Sequence, residues 1–265
     1  MFQGGIRMEP VLLDKDGPIG WLTLNRPEKR NALSLELMTD MLNKLEIIAQ
    51  DQDIRVIVIR GNGPVFCAGH NLKEMTGTDY DIKHFHKIFS VCARMMQTLY
   101  ELPQPVIAQV HGVATAAGCQ LVAACDLAIA ETGAQFATPG VKIGLFCSTP
   151  AVPLVRVIGR RRAMDMLMTG RFVSAEEAER FGLINRIVAP EKLAEQTRNW
   201  AMEIGQYSRY TLAFGKQTFY KQVDLDTTSA YNYATNAIVM NCLAADAQEG
   251  MLAFLEKRKA EWKDR

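Results

Sequence analysis

Two short segments rich in glycine and small residues have the composition of turns that bring backbone N–H groups to a ligand. Residues 61–75 leave a predicted strand and include Ala68-Gly69-His70, while residues 111–121 include Ala117-Gly118 and open a predicted helix. Small side chains let a second group approach the backbone, and free N–H groups at a helix start stabilise negative charge. One such turn usually marks tight helix packing. Two turns, each following a strand, predict a convergent pair of donors for an enolate or tetrahedral oxyanion.

The elements around these turns alternate between strands and helices. Residues 10–24 predict a hairpin that turns at Gly17-Pro18, and Ser34 is placed to cap a helix that ends near Gln50. The apolar pattern then predicts strands at 56–60, 106–110 and 127–129 and helices at 80–101 and 118–125. Short apolar strands separated by helices predict an α/β architecture.

The second half of the chain is dominated by helical periodicity. Helices are predicted at 161–169, 175–180, 190–206 and 247–262. Because no low-complexity linker separates them from the first half, we expect the helical tail to pack on the core.

The totals are those of an ordinary globular chain. Its 265 residues are 48% hydrophobic and carry a formal charge of +1, so no long-range positive field would attract nucleic acid or an anionic membrane. No segment approaches the ~18–20 uninterrupted apolar residues of a membrane span. The six cysteines lack the close pairing of a metal or redox site, and the first residues lack a secretory or transit pattern. We therefore expect no metal site, reduced thiols and a cytoplasmic location.

The chain resembles the enoyl-CoA hydratase/isomerase, or crotonase, superfamily through nearly its whole length, and most of all its enoyl-CoA hydratase domain-containing branch. The matching stretches are Leu24 to Pro27, Asn31 to Leu33, Phe66 to Met75, Pro105 to Asp126, Ala134 to Gly144, Gly170 to Val188 and Gln248 to Arg258. The resemblance implies a crotonase-type ββα spiral core at residues 1–196 and a C-terminal α-helical oligomerisation region at residues 197–265. It further implies homotrimers or dimers of trimers that bind acyl-CoA or enoyl-CoA thioesters, with coenzyme A as part of the substrate and no separate cofactor.

The resemblance also assigns residues to the site. Carried over by position, the two oxyanion N–H donors fall on His70 and Ala117. The stretch that cups the adenine end of coenzyme A corresponds to Ala68, His70, Asn71 and Leu72. Lys29 and Arg30 lie where basic groups meet the phosphates, although solvated surface charge explains them equally well. Lys216 matches a further basic position loosely.

Two catalytic groups of the family are missing. Family members that hydrate enoyl thioesters use one glutamate as a base for water and a second as an acid for the α-carbon, and these positions are Gln120 and Gly140. Neither residue exchanges a proton near neutral pH, and each such group typically contributes ~10² to 10⁴ in rate. Other candidates for proton transfer near the matched site are His70, Cys147, Ser148, Glu74 and Cys67. His70 has the best intrinsic pKa for this role.

Three explanations stay open. Another group moves the proton, and the protein is a lyase or isomerase of the hydratase class in fatty acid metabolism. Alternatively, it binds coenzyme A thioesters without turnover. The third possibility is decarboxylase-like chemistry, in which loss of carbon dioxide itself creates the enolate. The run from Cys147 to Thr149 predicts a polar loop, because no adjacent His-Asp arrangement is visible.

Overall fold

A computed structural model describes residues 9–76 and 81–265, and a six-stranded sheet organises this part of the chain. In sheet order its strands are β1 (Val11–Asp16), β2 (Ile19–Leu24), β3 (Val56–Gly61), β4 (Val106–Val110), β6 (Leu127–Glu131) and β9 (Arg186–Val188). β1 and β2 form the predicted antiparallel hairpin, and the remaining neighbours pair in parallel. Because both faces of these parallel strands are covered, their sequences are continuous apolar runs.

A second, smaller sheet contains β5 (Val113–Thr115), β7 (Gln135–Ala137) and β8 (Val173–Ser174). The chain leaves β4 through Gly112, enters β5, forms a helix and returns to the main sheet at β6 before entering β7. The parallel pairing of β5 with β7 repeats that of β4 with β6. The successive units β4–β5–α3 and β6–β7 therefore each add one strand to each sheet. This arrangement confirms the predicted α/β class and ββα spiral.

The described residues contain ten α-helices. They are α1 (Leu35–Gln50), α2 (Ile82–Glu101), α3 (Ala117–Ala124), α4 (Ser148–Ile158), α5 (Arg160–Thr169), α6 (Ala175–Phe181), α7 (Leu193–Gly205), α8 (Arg209–Gln222), α9 (Thr227–Cys242) and α10 (Ala245–Leu255). Ser34 caps α1 as predicted, with its hydroxyl accepting a hydrogen bond from the Leu37 N–H. The predicted start of the second helix, residue 80, lies outside the described residues.

Two predictions about the helices are wrong. The run from Cys147 to Thr149 was expected to be a loop, but Ser148 begins α4, because the apolar residues that follow continue at helical spacing into the core. The last helix ends at Leu255 rather than at residue 262. There Lys257 adopts a positive φ of 55°, and Arg258 turns back to form an ion pair with Glu249.

Helix α7 covers one face of the main sheet. Its Leu193, Trp200 and Ala201 pack in one apolar cluster with sheet residues such as Trp21 and Val58. The predicted boundary between residues 196 and 197 lies inside this helix. The division into core and oligomerisation region stays a prediction.

A buried polar cluster ties the helical tail to the spiral. The ammonium group of Lys216, on α8, lies 2.8 Å from a carboxylate oxygen of Asp126 and donates to the carbonyl groups of Leu99 and Gln104. The Tyr220 hydroxyl donates to the other Asp126 oxygen at 2.8 Å. Lys216 therefore holds α8 against the spiral. Because its ammonium group is buried and paired with Asp126, it is not available to bind a phosphate, although its position loosely matches a basic position of the family.

Within the described part of the chain, no single helix is both long and apolar enough to cross a membrane. The pair α9 and α10, bent by 73° at their junction, meets these criteria only when the two are taken together, by length and composition alone.

Candidate active site

The two glycine-bearing turns pack directly against each other. The Cys67 N–H donates to the Val113 carbonyl, and the Thr115 N–H donates to the Cys67 carbonyl at 3.0 Å. A Cβ on Gly69 would lie 2.8 Å from the Ala116 Cβ, and a Cβ on Gly118 would collide with the Cys67 carbonyl. Both positions must therefore be glycine, because any side chain would push the two turns apart.

This packing leaves two neighbouring amides outside the regular hydrogen-bond pattern. Leu33 forms a parallel bridge with residue 70, in which the Leu33 N–H donates to the Gly69 carbonyl and the Asn71 N–H donates to the Leu33 carbonyl. The N–H of His70 takes no part in this bridge. Ala117 is the first residue of α3, where an N–H has no acceptor within the helix. His70 and Ala117 line the same cavity.

The cavity has a volume of about 690 Å³. It is lined by parts of segments 68–75 and 139–150, by residues 116–117 and by Phe89 of α2. The cavity thus brings together five residues of the predicted site, which are Ala68, His70, Leu72, Ala117 and Gly140. Their roles stay predictions.

Other predicted site residues lie outside the cavity wall. Gln120 is buried one turn into α3 and is not a lining residue, and its side-chain oxygen has no partner among the described residues. Asn71 caps the short helical turn after His70 and donates to Glu74. Lys29 and Arg30 are exposed, but the Ala68 N–H donates to the Arg30 carbonyl at 3.0 Å, which fixes this basic pair beside the first turn.

The backbone strain at the second turn falls on Ala116 rather than on Ala117. Ala116 has φ of 50° and ψ of −117°, a conformation that glycine adopts easily and alanine does not. Ala117 is helical, so its side chain imposes no strain on the amide predicted to be a donor. The site thus holds a strained residue at its wall, which typically costs ~1–3 kcal/mol.

Gly140 has no room for a side chain. A Cβ there would lie 2.6 Å from the Leu145 carbonyl oxygen and 2.8 Å from the sulfur of Cys147. The backbone of residues 145–147 therefore occupies the direction in which a glutamate at this position would project. The cavity wall there carries a thiol in place of a carboxylate.

His70 places an imidazole with two buried ring nitrogens in the cavity wall. Neither ring nitrogen has a hydrogen-bond partner among the described residues, and the ring contacts Phe89 edge-to-face with centroids 5.2 Å apart. Burial lowers the pKa of the imidazole below its usual 6.5. The Leu33 carbonyl and the Glu74 carboxylate oppose this shift without overcoming it.

The other candidates for proton transfer differ in whether they line the cavity. Cys67 is fully buried and donates to the Asn31 carbonyl, and burial raises its pKa to about 12. Glu74 accepts hydrogen bonds from Leu35 and Asn71 and does not line the cavity. Cys147 and Ser148 do line it, and burial raises the pKa of the Cys147 thiol. Of the five candidates, His70, Cys147 and Ser148 therefore face the site.

Several wall residues were not predicted, and they are Met75, Phe89, Lys142, Ile143, Leu145 and Phe146. Phe89 belongs to the amphipathic pattern of α2, which does not distinguish a cavity wall from a core. The four apolar residues within 141–146 remain exposed around the opening, and their composition alone does not distinguish such a rim from a core. Among the described residues, no group of three or more metal-ligating side chains lies close enough to hold a metal ion.

Comparison with known sequences gives a consistent result. The family model described as enoyl-CoA hydratase/isomerase matches residues 14–265. The rat mitochondrial enoyl-CoA hydratase domain-containing protein 3 is 46% identical over 241 residues, covering 91% of this chain and 80% of that protein. A probable enoyl-CoA hydratase from Rhizobium meliloti is 33% identical, covering 97% of this chain and 99% of the relative. Names of several animal relatives place those proteins in mitochondria, which does not fit the predicted cytoplasmic location.

Solved structures agree with the sequence comparison. Human enoyl coenzyme A hydratase domain-containing protein 3 superposes with a TM-score of 0.93 at 43% identity, covering 96% of this chain and 100% of that one. An enoyl-CoA hydratase from Mycobacterium smegmatis superposes with a TM-score of 0.92 at 44% identity, covering 96% of this chain and 98% of that one.

Proposed function

Because the chain belongs to the enoyl-CoA hydratase/isomerase family, we propose that its cavity binds an acyl-CoA thioester and polarises the thioester carbonyl with two backbone amides. The amides are those of His70 and Ala117. The observation that carries the proposal is the contact between the two turns, which places both residues on one cavity wall.

The amides would act on the negative charge that develops on the thioester oxygen when the α-carbon loses or gains a proton. Backbone donors fixed by packing need no reorganisation at that moment, and the start of α3 adds the positive end of its dipole. Removing one donor of such a pair in a hydrolase lowers the rate by ~10² to 10³. Chemistry that passes through a thioester enolate is therefore the reaction class that fits best.

Acid–base assistance in this site is reduced. Among the described lining residues there is no carboxylate, and the proton-transfer candidates that line the cavity are the imidazole of His70, the thiol of Cys147 and the hydroxyl of Ser148. We expect hydration of enoyl-CoA to be slow compared with an enzyme that positions two glutamates. Enoyl-CoA hydratase/isomerase chemistry without a glutamate pair is the leading assignment.

A second candidate function is binding of acyl-CoA without turnover. It is favoured by the crowding at Gly140, because residues 145–147 exclude any side chain from that position. The two candidates share the amide pair and differ only in whether a proton is moved.

The deciding experiment measures binding and turnover on the same protein. Calorimetry with butyryl-CoA tests whether the cavity holds a saturated thioester, and incubation with crotonyl-CoA tests hydration. Ala117→Pro removes one N–H at a helix position that tolerates proline, while Ala117→Gly keeps the N–H and is the matched control. Binding or turnover that survives in the folded proline variant as in the glycine variant would contradict the role of this amide.

The basic pair Lys29 and Arg30 would meet the phosphates of coenzyme A. Both residues are exposed, and the Arg30 carbonyl accepts a hydrogen bond from the Ala68 N–H, which holds the pair beside the first turn. Replacing both with alanine should weaken binding and flatten its salt dependence, because fewer charges are neutralised. Lys192→Ala, on the segment before α7, is the control and should leave both unchanged.

We also propose assembly through the C-terminal helices. Helices α9 and α10 leave large apolar side chains exposed, namely Ile238, Val239, Met240, Leu243, Phe254 and Leu255. Exposed large apolar side chains in this number are typical of a subunit interface. Light scattering should give the mass of a trimer or of a dimer of trimers, and a monomer at micromolar concentration would contradict the proposal.

A further inference from the structure

The imidazole of His70 is poorly placed to move a proton on a ligand in the cavity. Both of its ring nitrogens are buried although the residue lines the cavity, so other atoms of His70 form the wall there. The ring also packs edge-to-face on Phe89 with centroids 5.2 Å apart. A ring nitrogen therefore reaches a ligand only if the ring moves in this contact.

The hydroxyl of Ser148 lacks the partner that proton transfer requires. Ser148 is exposed, and its hydroxyl donates a hydrogen bond to the Phe146 carbonyl at 3.3 Å. A serine hydroxyl is weakly reactive unless an adjacent general base takes its proton. The described residues that line the cavity include no carboxylate, and the nitrogens of His70 are buried. Ser148 therefore has no such base in the described wall.

Cys147 has surroundings that suit a group which gains and loses a proton. It lines the cavity as the N-cap of α4, where its side chain makes no capping hydrogen bond. A side chain at this position can accept a hydrogen bond from the N–H of the second helical residue, here Thr149, and the helix dipole adds positive potential. Both effects stabilise a thiolate when one forms. The sulfur lies 2.8 Å from the Cβ position of Gly140, so it belongs to the wall beside that residue.

The protonated thiol is the resting form of Cys147. Burial raises its pKa above the usual 9.0, and a backbone hydrogen bond from Gly140 opposes only part of this shift. On the neighbouring helix α3, burial raises the pKa of Cys119 to about 12, so that thiol is also uncharged near neutral pH. Lys142, at the cavity rim, is exposed to solvent, which screens its charge. A thiolate of raised pKa is scarce, but it is a stronger base than an ordinary one.

From this geometry we infer that the sulfur of Cys147 is the catalytic group that moves a proton at the α-carbon of a bound acyl-CoA thioester. The inference rests on the proposed acyl-CoA function. The thiolate forms an S–H bond with the α-proton, and the electron pair of the broken C–H bond moves into the bond between the α-carbon and the carbonyl carbon. The carbonyl π pair moves onto the thioester oxygen, where the amides of His70 and Ala117 would hold it. The reverse step returns a proton, so the reaction needs no oxidant, reductant or co-reactant.

The test is the exchange of the α-protons of butyryl-CoA for deuterium in D₂O, followed by mass spectrometry. The S–H bond exchanges with solvent between the two steps, so each cycle can place one deuteron on the α-carbon. Cys147→Ser should lower the exchange rate at least ~10²-fold, and serine is a preferred N-cap, so α4 should be kept. Cys92→Ala removes another buried thiol, on α2 and outside the cavity wall, and is the control that should exchange at the unchanged rate.

The pH profile of the unchanged protein identifies the same group without any variant. After the exchange in protein-free solution is subtracted, the rate should rise about tenfold per pH unit between about pH 6 and pH 9, because the thiolate fraction rises in this way below a raised thiol pKa. A rate that levels off below about pH 7 would assign the exchange to His70, whose pKa is lowered from 6.5, and would overturn the inference.

The remaining outcomes separate this inference from the proposed function. Exchange that persists at the unchanged rate in folded Cys147→Ser overturns the role of the sulfur and leaves the amide pair in place. Butyryl-CoA that binds in calorimetry but exchanges no α-proton also overturns it, and favours binding without turnover. If butyryl-CoA does not bind at all, both the inference and the proposed function fail.

Discussion

The sulfur of Cys147 lies 2.8 Å from the point that a Cβ on Gly140 would occupy, and the Leu145 carbonyl oxygen lies 2.6 Å from the same point. Position 140, where the sequence resemblance predicts that a hydratase would carry a glutamate, therefore has no room for a side chain along the present path of the backbone. The buried thiol of Cys147 lies where a side chain at position 140 would project.

This crowding predicts the result of restoring both glutamates. The double variant Gln120→Glu with Gly140→Glu should gain no hydration of crotonyl-CoA, because the new side chain at 140 cannot enter the site without moving residues 145–147. Overpacking of this kind costs ~1–3 kcal/mol in the free energy of unfolding, which denaturant titration measures. Gly215→Ala is the control, since nothing lies within 4 Å of its Cβ position in α8, and it should not destabilise. A clear rise in the hydration of crotonyl-CoA would contradict this prediction, because it would show that residues 145–147 move to admit the new side chain.

The strain at Ala116 predicts a stabilising substitution at the cavity wall. Ala116→Gly should raise the free energy of unfolding by about 1 kcal/mol, because glycine adopts a φ of 50° without steric cost. The neighbouring Ala117→Gly should lower it by ~0.5–1 kcal/mol, because that residue is helical. The opposite signs of two identical changes at adjacent positions are the diagnostic result. Equal effects would mean that the backbone relaxes around residue 116.

The sequence predicted most of the fold because its signals are local. Ser34 caps α1, Gly17 turns the first hairpin, and the apolar runs become buried parallel strands. It could not predict which residues meet across the cavity, because Phe89 and Gly140 are brought together only by the packing of separate segments. For the same reason Gln120, expected at the site, lies behind its wall, and Lys216, considered for phosphate binding, is buried against Asp126.

The Lys216–Asp126 pair predicts how firmly the helical tail is docked. Breaking a buried pair by removing one partner typically costs ~3–5 kcal/mol, so Lys216→Met should lower the free energy of unfolding by this amount. Because the Tyr220 hydroxyl also donates to Asp126, Tyr220→Phe should have a smaller effect that is coupled to the first. A double-mutant cycle by denaturant titration measures the coupling. Strictly additive effects would contradict a shared network.

The environment of Cys147 predicts slow alkylation. Burial raises the pKa of its thiol, so little thiolate is present near neutral pH. Iodoacetamide should label Cys147 in the folded protein at least tenfold more slowly than in the denatured chain, as followed by peptide mass spectrometry. Saturating acyl-CoA should slow this labelling further, because Cys147 lines the cavity. Labelling of Cys147 that acyl-CoA leaves unchanged would place the ligand elsewhere.

The buried imidazole of His70 predicts a loss of stability in mild acid. Its pKa is lowered in the folded protein, so between that pKa and about 6.5 the unfolded chain binds a proton that the folded chain does not. Stability is therefore complete above the unfolded pKa and declines as the pH falls below about 6.5, by at most ~1.4 kcal/mol per pH unit for this single group. Denaturant unfolding of the unchanged protein and of His70→Phe between pH 7 and pH 5 isolates the contribution, because phenylalanine keeps an aromatic ring beside Phe89 but does not titrate. The difference in free energy between the two proteins should shift in favour of the phenylalanine variant as the pH decreases. A difference that stays constant across this range would mean that His70 titrates alike in the folded and unfolded chain, so that burial does not lower its pKa.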